Sequence, residues 1–187
     1  GRVYIYETRE NFAWQIQKQP QPGSGALRTG LNTSGQELKV TGESGSGFGN
    51  ALTTGDLNSD GKPDLIVGAS AYSTNTGRVY VFYSDGSLAT GASNADIVIT
   101  GGATSNFFGA SLAVGDLNSD GKTDLVIGAY GYSSSTGRAY IFYNDGSIPT
   151  TAATADITIT GQTTINEFGY ALTSGDFNVD GKTDIAV

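Results

Sequence analysis

Three Phe-Gly pairs, Phe48-Gly49, Phe108-Gly109 and Phe168-Gly169, stand 60 residues apart, and much of the chain repeats with them. Asp56, Asp116 and Asp176 keep the same interval, as do Gly77-Arg78 and Gly137-Arg138. Each unit runs in one order: the FG pair, a segment like ALTTGDLNSDGK, then DLIVGA, a Ser/Thr-rich loop, GRVYVFYSDGS, a variable loop and ADIVITG. A fixed period of this size marks an array of similar units that bury their apolar faces against one another.

Each unit reads as four strands. The first leads from the FG pair into Gly55-Asp56, and the second is Asp64–Val67. The third is Arg78–Tyr83 and the fourth Asp96–Thr100. β-Branched and aromatic residues fill them, with Gly, Asn, Asp and Ser between. The third strand is apolar or aromatic on both faces, which requires a sheet covered on both sides. Four-stranded antiparallel sheets stacked about an axis meet that need, so the expected fold is all-β, built of β-propeller blades of ~60 residues.

The ends fall out of phase with the unit. Gly1-Arg2-Val3-Tyr4 matches a third strand and Asp184–Val187 a second, so the chain opens and stops mid-blade, with twelve strands or about three blade equivalents. Residues 1–47 read as the end of one blade with an inserted loop at about 9–35. Residues 48–107 and 108–167 read as whole blades, and 168–187 as the start of another. Between Tyr6 and Glu37 lie 17 more residues than separate Phe82 from Asp96. That stretch holds the only Trp, Trp14, and is either a longer rim loop or a docking element. An opening at Gly1 is what a processed or excised segment would show.

Composition narrows the chemistry. No Cys and no His occur, which removes thiolates, the usual general base and the ligands favoured by zinc, copper and iron. Oxygen ligands remain, and they favour Ca²⁺ or Mg²⁺. A net charge of −8 argues against nucleic acid. No apolar run approaches the roughly 20 residues that span a bilayer.

The strongest local signal is D-x-N-x-D-G-K-x-D, present three times. It comprises Asp56, Asn58, Asp60, Lys62 and Asp64; Asp116, Asn118, Asp120, Lys122 and Asp124; and Asp176, Asn178, Asp180, Lys182 and Asp184. Side-chain oxygens at positions one, three and five of a tight turn converge on one point. The residue at position seven, a Lys in each copy, can add its main-chain carbonyl, and position nine a further carboxylate. Gly61, Gly121 and Gly181 at position six permit the bend. An EF-hand would need Glu at position twelve, where Val67, Ile127 and Val187 stand, so this loop joins strands. Carboxylates ~5 Å apart repel by about 3 kcal/mol per pair at an effective dielectric of 20, and a cation offsets that. Nine of the 18 acidic residues lie in these loops; three Ca²⁺ would take the formal charge from −8 to −2. The bland alternative is a set of Asx-turns.

The FG pairs, followed by D-x-N-x-D-G-x-x-D and by Gly68-Ala69 or Gly128-Ala129, resemble the FG-GAP repeat of integrin α-subunit propellers and of many bacterial surface proteins. The resemblance covers the chain except roughly residues 9–35. It implies a seven-bladed propeller with Ca²⁺ between the first and second strands of a blade, held at three sites by the Asp and Asn residues named above. Three blade equivalents fall short of seven, so closure requires further blades or other copies. The near-identity of neighbouring repeats looks more like a bacterial or archaeal surface array than an animal receptor.

The implied role is a calcium-binding adhesion or scaffold module at the cell surface or outside the cell, not an enzyme. Its partners would be other blades, copies of the same protein, extracellular proteins or glycans. The competing reading is a lectin-like module, or the non-catalytic part of a secreted hydrolase. Phe48, Phe108 and Phe168 are expected to plug the spaces between blades. Tyr80, Tyr83, Tyr140 and Tyr143 are expected to pack the sheets, with a sugar-stacking platform as the alternative. Arg78 and Arg138 are expected to meet carboxylates or carbonyls. Asn32-Thr33-Ser34 fits a glycosylation sequon.

Overall fold

The computed structural model describes residues 1–5, 38–85 and 90–187; the Trp14 segment and the Asn32 sequon lie outside them. The described strands are β1 (Arg2–Ile5), β2 (Leu38–Thr41), β3 (Ala51–Gly55), β4 (Asp64–Ala69), β5 (Arg78–Phe82), β6 (Ile97–Thr100), β7 (Ser111–Gly115), β8 (Asp124–Ala129), β9 (Arg138–Phe142), β10 (Ile157–Thr160), β11 (Thr173–Gly175) and β12 (Asp184–Ala186). All pairings between these strands are antiparallel. They give two four-stranded sheets, β3-β4-β5-β6 and β7-β8-β9-β10, and two-stranded sheets β1-β2 and β11-β12. First strands sit side by side, β3 against β7 and β7 against β11. This is an all-β fold of propeller blades, and the sheets do not close on one another within these residues.

The doubly apolar third strand has the cause expected of it. Along β5, Val79 and Val81 face the β7–β10 sheet and cluster with Phe108, Leu125 and Phe142. Tyr80 and Phe82, on the opposite face, cluster with Val3, Val40 and Phe48. With a side-chain period of 2, each face of a central sheet meets a neighbouring sheet, so alternation of polarity would put polar groups into a seam. Phe48 and Phe108 are 3% and 1% exposed and pack edge-on against Tyr80 and Tyr140, filling the seams as expected. Such burial contributes about 1.5–3 kcal/mol per ring.

The geometry also explains why FG and GA occur together. Gly109 donates its N–H to the Gly128 carbonyl inside its own sheet, while its carbonyl lies against Gly68 of the preceding one. A Cβ on Gly68 would collide with that carbonyl, and one on Gly128 would collide with the carbonyl of Gly169. Bare backbone on both sides is what lets consecutive sheets approach.

The Ser/Thr-rich connections are more ordered than a loop. Ser73, Thr74 and Asn75 all have positive φ, as do Ser133, Ser134 and Ser135, so each connection makes one left-handed turn. Side chains disfavour that hand. The next sheet holds the first such turn in place: Ser105 N–H donates to the Thr74 carbonyl (3.1 Å) and Phe107 N–H to that of Asn75 (2.8 Å). Among the described residues no helix is long and apolar enough to cross a membrane.

Candidate metal centre

The three acidic loops join β3 to β4, β7 to β8 and β11 to β12, all at the same end of their sheets. Their internal hydrogen bonding is nearly the same. In the first, Asp56 accepts from Asp60 N–H through Oδ1 (3.0 Å) and from Gly61 N–H through Oδ2 (2.8 Å). Asn58 Oδ1 accepts from the same Asp60 N–H (3.0 Å), so oxygens from positions one and three lie together on one side of the turn. Asp60 Oδ1 accepts from Lys62 N–H (2.9 Å). The second and third loops repeat these bonds through Asp116, Asn118 and Asp120, and through Asp176, Asn178 and Asp180.

Backbone conformation repeats as well. Gly61, Gly121 and Gly181 have φ of 82°, 84° and 83°, the left-handed bend expected at position six. Position four is also left-handed, at Ser59, Ser119 and Val179, which the sequence did not signal.

Position nine does something the spacing does not reveal. Asp64 is fully buried; its Oδ2 accepts from Leu57 N–H (2.8 Å) and its Oδ1 from Ser84 N–H (2.9 Å). Asp124 does the same with Leu117 and Asn144. Each therefore ties the loop's entry to the end of the third strand, and the backbone donors make that burial tolerable. Asp184 keeps the bond to Phe177 N–H (3.0 Å).

Among the described residues, no three acidic side chains stand close enough to hold an ion in this arrangement. The carboxylates of positions one and five turn instead onto the loop's own amides, and Lys62 Nζ approaches Asp60 at 3.5 Å. The Lys62 N–H bond comes first in holding the Asp60 carboxyl below its ordinary range. The donor set still fits a hard cation in kind. It is all oxygen, and a carboxylate oxygen that accepts one N–H keeps a further lone pair for a metal.

At the opposite end of the sheets, Arg78 meets the expected carboxylate, Glu43, at 3.3 Å. Arg138 instead donates to Thr160 Oγ1 (2.8 Å) and lies over the Tyr132 ring, 3.7 Å from its centroid. Tyr80 and Tyr140 are 1% and 5% exposed, which makes them packing residues and leaves no stacking platform there.

The sequence profile of the FG-GAP repeat matches residues 48–82, 108–142 and 168–187. The chain is 38% identical over 152 residues to human "Integrin alpha-7", covering 78% of this chain and 12% of that protein. It is 33% identical over 156 residues to "Phosphatidylinositol-glycan-specific phospholipase D" of Bos taurus, covering 75% of this chain and 18% of that one. It is 35% identical over 126 residues to "Integrin alpha-5" of Xenopus laevis, covering 62% and 11%. The chain thus spans less than a fifth of these curated relatives.

Proposed function

Because the chain carries FG-GAP repeats of the integrin-like propeller type, we propose that it is a calcium-stabilised adhesion or scaffold module that works outside the cell or at its surface. The observation that carries this reading is the threefold loop. Three copies of one acidic sequence adopt one backbone path, with two left-handed residues each, at the same end of adjacent sheets. Architecture repeats in this way, whereas an active site is a single constellation. Asp56, Asn58, Asp60 and Asp64, with the Lys62 carbonyl, would hold the first ion, and the matching residues the other two. The ion would replace carboxylate repulsion with attraction and lock each loop across its sheet. No catalytic role is proposed. Partners would be further blades, other copies, or extracellular proteins or glycans.

The test is thermal unfolding in calcium and in chelator, with titration calorimetry for stoichiometry. We expect three equivalents of Ca²⁺ and a clear rise in Tm; at a hundredfold excess over Kd each site adds about 2.7 kcal/mol. Asp60→Ala should lose much of that gain and Lys62→Ala little, because position seven acts through its main chain. A melting temperature indifferent to millimolar calcium would refute the metal reading.

The phospholipase D match favours a second reading, in which the chain is the non-catalytic part of a larger secreted hydrolase. A catalytic domain elsewhere in the same gene would decide for it.

A further inference from the structure

Two seams in this molecule are built alike around an arginine, and one of them lacks its acid. In the first, Arg78 Nε donates to Thr100 Oγ1 (3.2 Å), its guanidinium lies 3.6 Å over the Tyr72 ring, and Glu43 Oε1 accepts from both Arg78 Nη1 (3.3 Å) and Tyr80 Oη (3.1 Å). In the second, Arg138 Nε donates to Thr160 Oγ1 (2.8 Å), its guanidinium lies 3.7 Å over Tyr132, and Tyr140 stands where Tyr80 stood. Every part is duplicated except the carboxylate.

The missing acid can be located. Gly42 and Gly101 occupy matching places, each abutting the Phe of the FG pair that follows, Phe48 or Phe108. Glu43 comes next after the first, and Gly102 after the second. Around Gly102 the space is open: a Cβ there would meet nothing within 4 Å. A cleft of about 290 Å³ lies there, lined by Gly102, Ala103, Asn106, Arg138 and Tyr140 among others. Among the described residues Arg138 has no acidic partner.

We propose that this cleft is a binding site for a carboxylate, filled by the acidic side chain of a partner polypeptide in the place that Glu43 fills one seam earlier. The walls are already set. Thr160 and Tyr132 hold the guanidinium, and the left-handed turn begins directly after Tyr132. Burial raises the Tyr140 phenol above its ordinary value, so it stays protonated and available as a donor. With a single cation among the lining residues and a net charge of −8, the cleft suits a monoanion better than a phosphate. A glutamate side chain is the occupant that the molecule itself demonstrates. This site does not depend on the calcium reading: Arg138 pairs with Ala129, at the end of β8 opposite to the acidic loop that precedes Asp124.

The experiment follows the Arg138 Nε–H resonance of the ¹⁵N-labelled protein. The probes are glutamate blocked at both termini, blocked glutamine and glucuronate. Blocked glutamate should shift Arg138 saturably and leave Arg78 still, whereas blocked glutamine should shift neither. Gly102→Glu should move the Arg138 resonance with no probe present and abolish the titration, and in Arg138→Gln the backbone amide of Gly102, which lines the same cleft, should not respond to the probe. Glu43→Gln should make Arg78 responsive to the same probe. No saturable shift with blocked glutamate, an equal shift with blocked glutamine, or tighter binding of glucuronate would each overturn the proposal.

Discussion

Position four of the acidic loops is where a single side chain most plainly disagrees with its backbone. Ser59, Ser119 and Val179 share a φ near 60°, in the left-handed region. Ser tolerates this, helped by its small side chain. Val does not, because its branched Cβ crowds the following carbonyl, and Val179 is 87% exposed, so burial returns nothing. Asn visits the left-handed region readily. Val179→Asn should therefore stabilise the protein by about 1 kcal/mol, read from the midpoint of denaturant unfolding with an unchanged slope. Ser119→Val should cost a similar amount, and equal stability of both variants with the parent would show that the strain is absent.

At the scale of the strand and its connections, the alternation of apolar residues and the period made the sheets legible in advance. The acidic spacing likewise located the loops that join first to second strands. What stayed hidden depends on contacts between segments that the linear pattern does not pair. That Ser73–Asn75 forms a left-handed turn is invisible in a Ser/Thr run, because the carbonyls of that turn are held by amides from the following unit. That Asp64 and Asp124 are braces inside the sheet is hidden for the same reason: their second donors come from residues 20 positions onward. The stacking of Arg138 on Tyr132 needs the end of one connection to fold over the start of the next strand. The GA half of the motif offers a direct test at this scale. Gly128 lies within a strand at an ordinary negative or extended φ, so Ala there costs nothing in backbone freedom, but its Cβ would meet the Gly169 carbonyl. Gly128→Ala should lower stability by about 1–3 kcal/mol in chemical denaturation. A neutral result would mean that the sheets can part at no cost.

Across the whole molecule, stability resides in the seams. Ile99, covered by the β7–β10 sheet, is 0% exposed, while its counterpart Ile159 in that sheet is 37% exposed. Each sheet is thus stabilised by its neighbours, as in other repeat arrays. Among the described residues, one polar bond joins an acidic loop to the sheet that follows it. Asn144, at the end of the third strand of its sheet, donates to the Leu57 carbonyl of the preceding loop (2.8 Å) and to the Thr123 carbonyl of its own (3.2 Å). Its counterpart Ser84 donates to the Pro63 carbonyl of its own loop (2.6 Å). Asn144→Ala leaves two carbonyls without this donor in a buried place and should cost about 1–3 kcal/mol. Asn144→Ser should regain the bond within the loop and lose the one across the seam. The difference between Ser and Asn, measured by chemical denaturation, then isolates the contact between neighbouring loops. If loops communicate through it, hydrogen exchange at Leu57–Gly61 should quicken in both variants while the third loop, at Phe177–Gly181, is unchanged. Equal stability of the Ser variant and the parent would show instead that the seam is held by apolar burial alone.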